Sequence, residues 1–433
     1  MARVLILTVG GSSQPIVTAI RELKPDRVLF ICSAESKKQV MGEGSPCQHH
    51  KGDDVQSCPN IVEQAGLRDR FVAERDVLVL EHVDSLEYCY ETIATTIRNL
   101  INEEPSSEVL ADFTGGTKTM SVALAMAGFD LGVTLYIEAG PRADLHRVRG
   151  GEAPLLVGTA ALRAERVLNQ WVPGLLEQYN YAGAVAQLDR LLRSASLSAD
   201  LQSIVSRHRE VCKAFEAWDC LDYEIALGFL ELHMKEPVLK GFGIFLRKVI
   251  SARQAMCSPG SIRSTGKCTG YEIVEDLVRN AERRAAALRY DDAVARLYRA
   301  LELTAQVRLR TAHDLDTSNV SVERLPSALR QRYENRRSGT GRVQVGLVDA
   351  FDLLEELEDE ASAEAWRESR EKVMDVLNVR NNSLMAHGLK PISEEEYRCV
   401  RDSLMELIER VIGRATNRDP AITAPQLPTE LVI

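Results

Sequence analysis

The sequence lacks the features of a membrane protein, of a disulfide scaffold and of a protein coated in positive charge. None of its 433 residues lies in an apolar run long enough to span a bilayer. Its nine cysteines are scattered without a C-x-x-C pair, which excludes a redox dithiol motif and a zinc ribbon. Acidic side chains outnumber basic ones by 63 to 53, which argues against indiscriminate nucleic-acid binding. Together these absences predict a cytoplasmic protein.

The composition is that of an ordinary globular protein of two or three domains. Hydrophobic residues make up 45% and charged residues 27% of the chain, so wholesale disorder is excluded. The net charge of −10 does not exclude a local basic site, because net charge says nothing about how charges are distributed.

Strand-like and helix-like segments alternate over the first part of the chain. The predicted strands are Arg3–Val9, Arg27–Cys32, Asp76–Leu80, Glu108–Phe113 and Val133–Ile137. The predicted helices between them are Pro15–Leu23, Ser85–Asn102 and Thr117–Phe129. Strands of nearly continuous aliphatic residues separated by helices are typical of a parallel sheet covered on both faces. We therefore predict a Rossmann-like α/β domain over residues 1–158.

The rest of the chain has a helical pattern throughout. A Gly/Ser-rich break at Ser258–Gly270 divides it into a helical connector, 159–270, and an all-α domain, 271–433. The last predicted helices are Val348–Leu357, Ala361–Val379 and Glu394–Ile412. The tail from about residue 414 has three prolines in its last fourteen residues, so we expect it to be loosely docked.

A glycine-rich strand end is the strongest chemical signal in the N-terminal half. In Thr114–Ser121, two glycines allow close approach of backbone N–H groups to a ligand, and the start of a helix favours phosphate. Lys118 adds a positive charge. The spacing is not that of a Walker A loop, and the simple alternative is a well-capped turn from strand to helix. Two neighbouring strand ends, Gly10–Ser13 and Ser33, strengthen the prediction of a ligand site.

The segment Arg380–Gly388 is the second chemical signal. If it is helical, Arg380 and His387 lie on one face, two turns apart, and Gly388 ends the helix. Histidine moves protons and arginine neutralises charge on a phosphorane, which is what metal-independent RNA cleavage requires. The alternative is a helix C-terminus that carries basic residues because they suit its dipole.

The two motifs together resemble CRISPR-associated CARF–HEPN ribonucleases of type III systems. Asp-Phe-Thr-Gly-Gly-Thr-Lys-Thr-Met-Ser (112–121) is similar to a strand end of CARF domains, and Arg-Asn-x5-His (380–387) to the HEPN motif. The resemblance implies a homodimer activated by a cyclic oligoadenylate, of four or six units, without a cofactor for catalysis. It implies cleavage of single-stranded RNA to 2′,3′-cyclic phosphate ends, with no membrane or stable DNA partner.

The resemblance also assigns roles to particular residues. The implied activator-binding residues are Gly10, Gly11, Ser12, Ser13, Ser33, Thr114, Gly115, Gly116, Thr117 and Lys118. The implied catalytic residues are Arg380, Asn381 and His387, with Asn381 orienting the phosphate or the histidine. No metal site is implied.

Three other interpretations stay open at this point. In the first, the protein is a ligand-sensing regulator whose helical half is catalytically silent. In the second, it is a ring nuclease whose CARF domain cuts its own activator through Ser12, Ser13, Thr117 or Lys118. In the third, it is a nucleotide hydrolase whose active site lies in the Rossmann-like domain alone.

Two further segments have no assigned role: the arginine-rich stretch Arg330–Arg342, and a Cys/His cluster that is either a zinc site or a surface loop. That cluster consists of Cys47, His49, His50 and Cys58.

Overall fold

A computed structural model provides the structure of the chain, and it divides the chain into two compact units, 1–159 and 160–433. The described residues are 2–42, 45–47, 56–139, 142–144, 147–148, 153–194, 196–257, 268–337, 341–384 and 386–432. None of the helices in these ranges combines the length and the apolar character that crossing a membrane requires.

The first unit is built on a six-stranded sheet. Its strands, with two short hairpins included, are β1 (Arg3–Thr8), β2 (Arg27–Cys32), β3 (Ser45–Cys47), β4 (Gln56–Cys58), β5 (Val77–Val79), β6 (Glu108–Asp112), β7 (Thr134–Ala139), β8 (Arg142–Asp144), β9 (Arg147–Val148) and β10 (Ala153–Leu156). The sheet order is β10-β7-β6-β1-β2-β5. All neighbouring pairs are parallel except β10 on β7, which is antiparallel. The predicted α/β domain is confirmed, and β10 adds an antiparallel edge that the sequence analysis missed.

Helices cover both faces of this sheet. They are α1 (Gln14–Leu23), α2 (Lys37–Met41), α3 (Ile61–Gln64), α4 (Ala73–Asp76), α5 (Leu86–Glu103) and α6 (Lys118–Leu131). Successive residues of a strand point to opposite faces, so Val4 and Ile6 pack with α5 and α6. Leu5 and Leu7 pack on the other face with α1. The apolar residues Val4–Leu7 thus bury both faces of β1 within the sheet.

The second unit is helical and has two apolar cores. Its helices are α7 (Ala160–Arg166), α8 (Val172–Leu176), α9 (Tyr181–Ser194), α10 (Ala199–Asp219), α11 (Tyr223–Glu231), α12 (Pro237–Cys257), α13 (Glu272–Ala286), α14 (Tyr290–His313), α15 (Ser327–Glu334), α16 (Leu347–Glu356), α17 (Ala363–Asn381) and α18 (Glu394–Thr416). One core gathers around Trp218 from α7–α12, and the other around Trp366 from α13–α18. The boundary at residue 270 between connector and C-terminal domain stays a prediction, since both belong to one compact unit.

The expectation of a loosely docked tail is wrong. Helix α18 continues to Thr416, and beyond it Ala424 and Leu427 are buried. The buried carboxylate of Glu275 accepts hydrogen bonds from the backbone N–H groups of Thr423 and Ala424, at 2.6 and 2.9 Å. Prolines forbid a helix in this tail, but they do not prevent an extended chain from docking against helices.

Candidate functional site

Two glycine-rich turns lie against each other at one edge of the sheet. Strands β1 and β6 are parallel neighbours, so their carboxyl ends meet at the same edge. A Cβ atom on Gly10 would lie 2.6 Å from the backbone nitrogen of Gly116, and one on Gly115 would overlap the carbonyl oxygen of Thr8. Gly116 has a φ of +86°, in the left-handed region that favours glycine. The close contact of the two turns therefore requires glycine at these positions.

The hydroxyl groups of the second turn are engaged in holding its shape. Thr114 Oγ1 accepts a hydrogen bond from the backbone N–H of Glu138 at 2.7 Å. Thr117 Oγ1 donates to the carbonyl of Val83 at 3.2 Å and accepts from Met120 N–H, also at 3.2 Å, which makes it the N-cap of α6. What this turn offers a ligand is therefore mainly backbone N–H groups at the start of α6, beside the exposed side chain of Lys118.

The other predicted ligand residues lie on the neighbouring strand ends. Gly11 and Ser12 are exposed, and Ser13 Oγ lies 3.3 Å from the side-chain nitrogen of Gln64 on α3. Ser33 follows β2, the next strand in the sheet, and its Oγ accepts a hydrogen bond from Ser36 N–H at 3.0 Å. The ends of β6, β1 and β2 thus place all the predicted activator-binding residues along one edge of the sheet.

Asp112 is a residue that the sequence analysis did not assign to this site. It ends β6 directly before the glycine turn, its side chain is 2% exposed, and its Oδ1 accepts the N–H of Thr114 at 2.9 Å. Burial raises the pKa of this carboxyl above its usual value. Asp112 therefore shapes the turn through this hydrogen bond. Its position immediately before Phe-Thr-Gly-Gly is the sequence feature from which this role could have been predicted.

Arg380 and His387 do not share one helix face, as they would if the segment Arg380–Gly388 were helical. Helix α17 ends at Asn381, one residue after Arg380, and the following chain reverses in a tight loop. Gly388 N–H donates to the carbonyl of Ser383 at 2.9 Å, and a Cβ on Gly388 would overlap the carbonyl oxygen of Asn382. His387 therefore lies in a loop and not on the helix face, because the main chain folds back on the helix end.

Arg380, Asn381 and His387 nevertheless lie together. The backbone N–H of His387 donates to the carbonyl oxygen of Asn381 at 3.2 Å. The guanidinium of Arg380 donates to Oδ1 of Asn381 at 3.1 Å, and it lies over the ring of Tyr298, with 4.6 Å between Cζ and the ring centroid. His387 is exposed and Arg380 is half-buried, so solvent reaches both. Asn381 contacts Arg380 through its side chain and His387 through its backbone.

Anchors at both ends hold the loop that carries His387. Ser383 forms a backbone bridge with Lys390, and the N–H of Leu384 donates to the carbonyl of Lys390 at 3.0 Å. Beyond the loop, the N–H of Ile392 donates to Oδ2 of Asp291 on α14 at 3.0 Å. The loop is thus fastened to itself and to a neighbouring helix.

Several arginines of the arginine-rich stretch Arg330–Arg342 pair with carboxylates. Residues 338–340 lie outside the described residues. Among those described, Arg336 pairs with Asp349 at 2.8 Å and Arg337 with Glu334 at 2.6 Å. Carboxylates that neutralise these arginines reduce the attraction of the stretch for phosphate.

The Cys/His cluster cannot be assembled from the described part of the chain. His49 and His50 lie outside the described residues, and Cys47 and Cys58 are described only as backbone in the paired strands β3 and β4. Elsewhere in the described ranges, no group of three or more histidine, cysteine or acidic residues is placed to hold a metal ion.

Comparisons with known proteins agree with the two motifs. Residues 262–411 match the family model described as the Csm6 HEPN domain. The fold is similar to that of Enterococcus italicus Csm6 bound to cyclic hexa-2′-fluoro-hexa-dAMP, with a TM-score of 0.58 and 13% sequence identity over 96% of this chain and 95% of that chain. No protein in a search of curated proteins matches this sequence. Residues 262–411 thus match the Csm6 HEPN domain, and the fold of the chain is similar to that of a Csm6.

Proposed function

We propose that this protein is a metal-independent endoribonuclease of type III CRISPR defence, which a cyclic oligoadenylate activates. The observation that carries the proposal is the arrangement of Arg380, Asn381 and His387, in which an exposed imidazole and an accessible guanidinium share one anchoring residue. The match of residues 262–411 to the Csm6 HEPN domain supports the assignment of RNA as the substrate.

The proposed reaction needs only groups that the chain and the RNA supply. An imidazole of His387 removes the proton from a ribose 2′-hydroxyl, and that oxygen attacks the adjacent phosphorus. The P–O5′ bond breaks, and a protonated imidazole gives its proton to the leaving oxygen. In a dimer, this imidazole is that of His387 in the second copy. Arg380 stabilises the negative charge of the phosphorane, and Asn381 holds Arg380 in place. The products carry 2′,3′-cyclic phosphate and 5′-hydroxyl ends.

The proposed activator site is the sheet edge formed by the ends of β6, β1 and β2. Backbone N–H groups at the start of α6 and the ammonium group of Lys118 suit the phosphates of a ring nucleotide. The Csm6 of similar fold is described as bound to a cyclic hexanucleotide analogue, and we propose cyclic tetra- or hexa-adenylate for this chain.

Exposed apolar side chains support a homodimer. Helix α6 is apolar on almost every face, so its apolar surface is not all covered by the sheet. Val122 and Met126, one turn apart, are 46% and 42% exposed. In the second unit, the exposed side chains of Leu384 and Leu389 flank His387 in sequence. A second copy of the chain would cover such surfaces, and a two-fold axis would present the same turn to each half of a symmetric ring.

The test is cleavage of end-labelled single-stranded RNA in the presence of a metal chelator. We expect cleavage with cyclic tetra- or hexa-adenylate, little cleavage without it, and products with 2′,3′-cyclic phosphate ends. Products with 3′-hydroxyl ends, or activity that the chelator abolishes, would contradict the proposal. Ring binding without any RNA cleavage would support a sensing regulator instead.

A further inference from the structure

Tyr298 lies beneath the guanidinium of Arg380, a contact that joins two helices. Tyr298 belongs to α14 and Arg380 to the last turn of α17, and the guanidinium carbon is 4.6 Å from the ring centroid. At this distance the ring face attracts a cation, and a planar guanidinium is the cation best suited to stack on it. The ring therefore restricts where the guanidinium lies.

The packing of the two helices produces this contact. On α14, Val294 and Leu301 are buried one turn on either side of Tyr298. On α17, Val376 and Leu377 are buried one turn before Arg380. Residues three or four positions apart share a helix face, so Tyr298 and Arg380 lie at the edge of the packed faces, partly in solvent. The contact is thus built on a rigid core.

Arg380 differs in its charge environment from other arginines of α17. In the described part of the chain, Arg367 pairs with Glu355 at 3.0 Å and Arg370 with Asp352 at 3.1 Å. Among the same residues, Arg380 makes no ion pair, and its neighbours are the ring of Tyr298 and the amide of Asn381. A ring and an amide hold a guanidinium in place without cancelling its charge.

We propose that Tyr298 is a positioning residue for Arg380. Its ring holds the guanidinium by stacking, and the full positive charge stays available for the phosphorane. A carboxylate at this position would hold the arginine equally firmly but would neutralise it. This inference rests on the proposed ribonuclease function, since it assigns to Tyr298 the orientation of a residue that acts in that reaction.

The test compares Tyr298→Leu with Tyr298→Phe in the full chain, using labelled RNA and saturating cyclic tetra- or hexa-adenylate. We expect Tyr298→Leu to lower kcat about fivefold to tenfold, with KM within about twofold of wild type, because Arg380 stabilises the transition state. Tyr298→Phe keeps the ring and should restore kcat to within about twofold. Tyr290→Leu is the matched control, because this half-buried tyrosine of the same helix contacts the ring of Tyr397 and, among the described residues, stacks under no arginine.

A double-mutant cycle separates positioning from a role in folding. In the Arg380→Ala background, Tyr298→Leu should not lower the residual rate further, because the residue that it positions is absent. An equal loss in both backgrounds would show a folding role and would overturn the inference. An unchanged kcat in Tyr298→Leu, while Arg380→Ala is inactive, would overturn the inference alone. Absence of ring-activated RNA cleavage by the wild-type chain would overturn the proposed function itself.

Discussion

Side chains and backbone have opposite roles in the two candidate sites, the glycine turns of the first unit and the Arg380–His387 segment of the second. At the turns, the hydroxyls of Thr114 and Thr117 bond to the backbone, and the N–H groups at the start of α6 are the groups that we propose to bind the ring. At the second site, backbone groups of Asn381 and Ser383 hold the loop, and the side chains of Arg380 and His387 are accessible.

This difference indicates how each site should respond to substitution. Changes in the glycine turns alter the shape of a packed backbone, so they should affect both stability and ligand binding. Changes at Arg380 and His387 remove accessible reactive groups, so they should abolish chemistry and leave the fold intact. A binding site for a flexible ring benefits from a rigid backbone surface, whereas proton transfer needs side chains in solvent reach.

The largest expected effect is that of Arg380→Ala. We predict a decrease of about 1000-fold in the single-turnover rate of RNA cleavage at saturating ring concentration, because the phosphorane loses its cation. The midpoint of thermal unfolding should stay close to that of wild type, since the side chain is half-buried and makes no ion pair among the described residues. A loss of activity that only matches the loss of folded protein would show that Arg380 acts through the fold and not in the reaction.

Gly10→Ala should have the next largest effect, and here stability and binding should fall together. The new Cβ would lie 2.6 Å from the backbone nitrogen of Gly116, so the two turns must separate. We predict a decrease of about 1–3 kcal/mol in the free energy of unfolding, with a loss of ring affinity measured by titration calorimetry. Gly11→Ala places its new Cβ more than 4 Å from every described residue other than its chain neighbours, so it should leave the free energy of unfolding unchanged. Equal stability of the two variants would contradict the packed arrangement.

Lys118→Ala should affect ligand binding and not stability. Its side chain lies in the first unit but is exposed, like the side chains of the second site. We predict about tenfold weaker ring binding, from the loss of a charged hydrogen bond to phosphate. Thermal unfolding should be unchanged, and the loss of affinity should become smaller as salt is added. A lower unfolding midpoint without a change in affinity would place Lys118 in the fold and not in the site.

The smallest effect is expected for the hydroxyl of Thr117. Thr117→Val removes the N-cap of α6 and should cost about 1 kcal/mol of stability, with only a small effect on ring affinity. Thr117→Ser keeps the capping oxygen and should restore stability. A large loss of affinity at unchanged stability would mean that this hydroxyl contacts the ring directly.

The sequence pattern predicted the sheet well because its strands are continuous apolar runs that end at glycines or polar residues. Strand β2 has the predicted bounds, Arg27–Cys32. Strand β10 was missed because Ala-Pro-Leu-Leu is short and mostly exposed, and only its pairing with β7 makes it a strand. Such an edge strand depends on tertiary contact, which a local pattern does not contain.

The candidate site was predictable in its residue types but not in its geometry. The spacing of Arg380 and His387 favoured one helix face, yet the asparagines after Arg380 are poor helix formers and Gly388 allows the chain to fold back. Tyr298 was unpredictable because its contact with Arg380 depends on how α14 packs on α17. The docked tail depends likewise on a buried acid, Glu275, that is far away in sequence.

Ring binding and RNA cleavage, measured on the same His387→Ala sample, separate the proposed sensing site from the proposed catalytic site. We predict that this variant binds cyclic tetra- or hexa-adenylate with wild-type affinity, because His387 belongs to the second unit and the proposed ring site to the first. Its single-turnover cleavage rate should fall by about 100- to 10,000-fold, the range that a general acid–base contributes. Cleavage by His387→Ala at the wild-type rate would show that His387 is not the general acid–base.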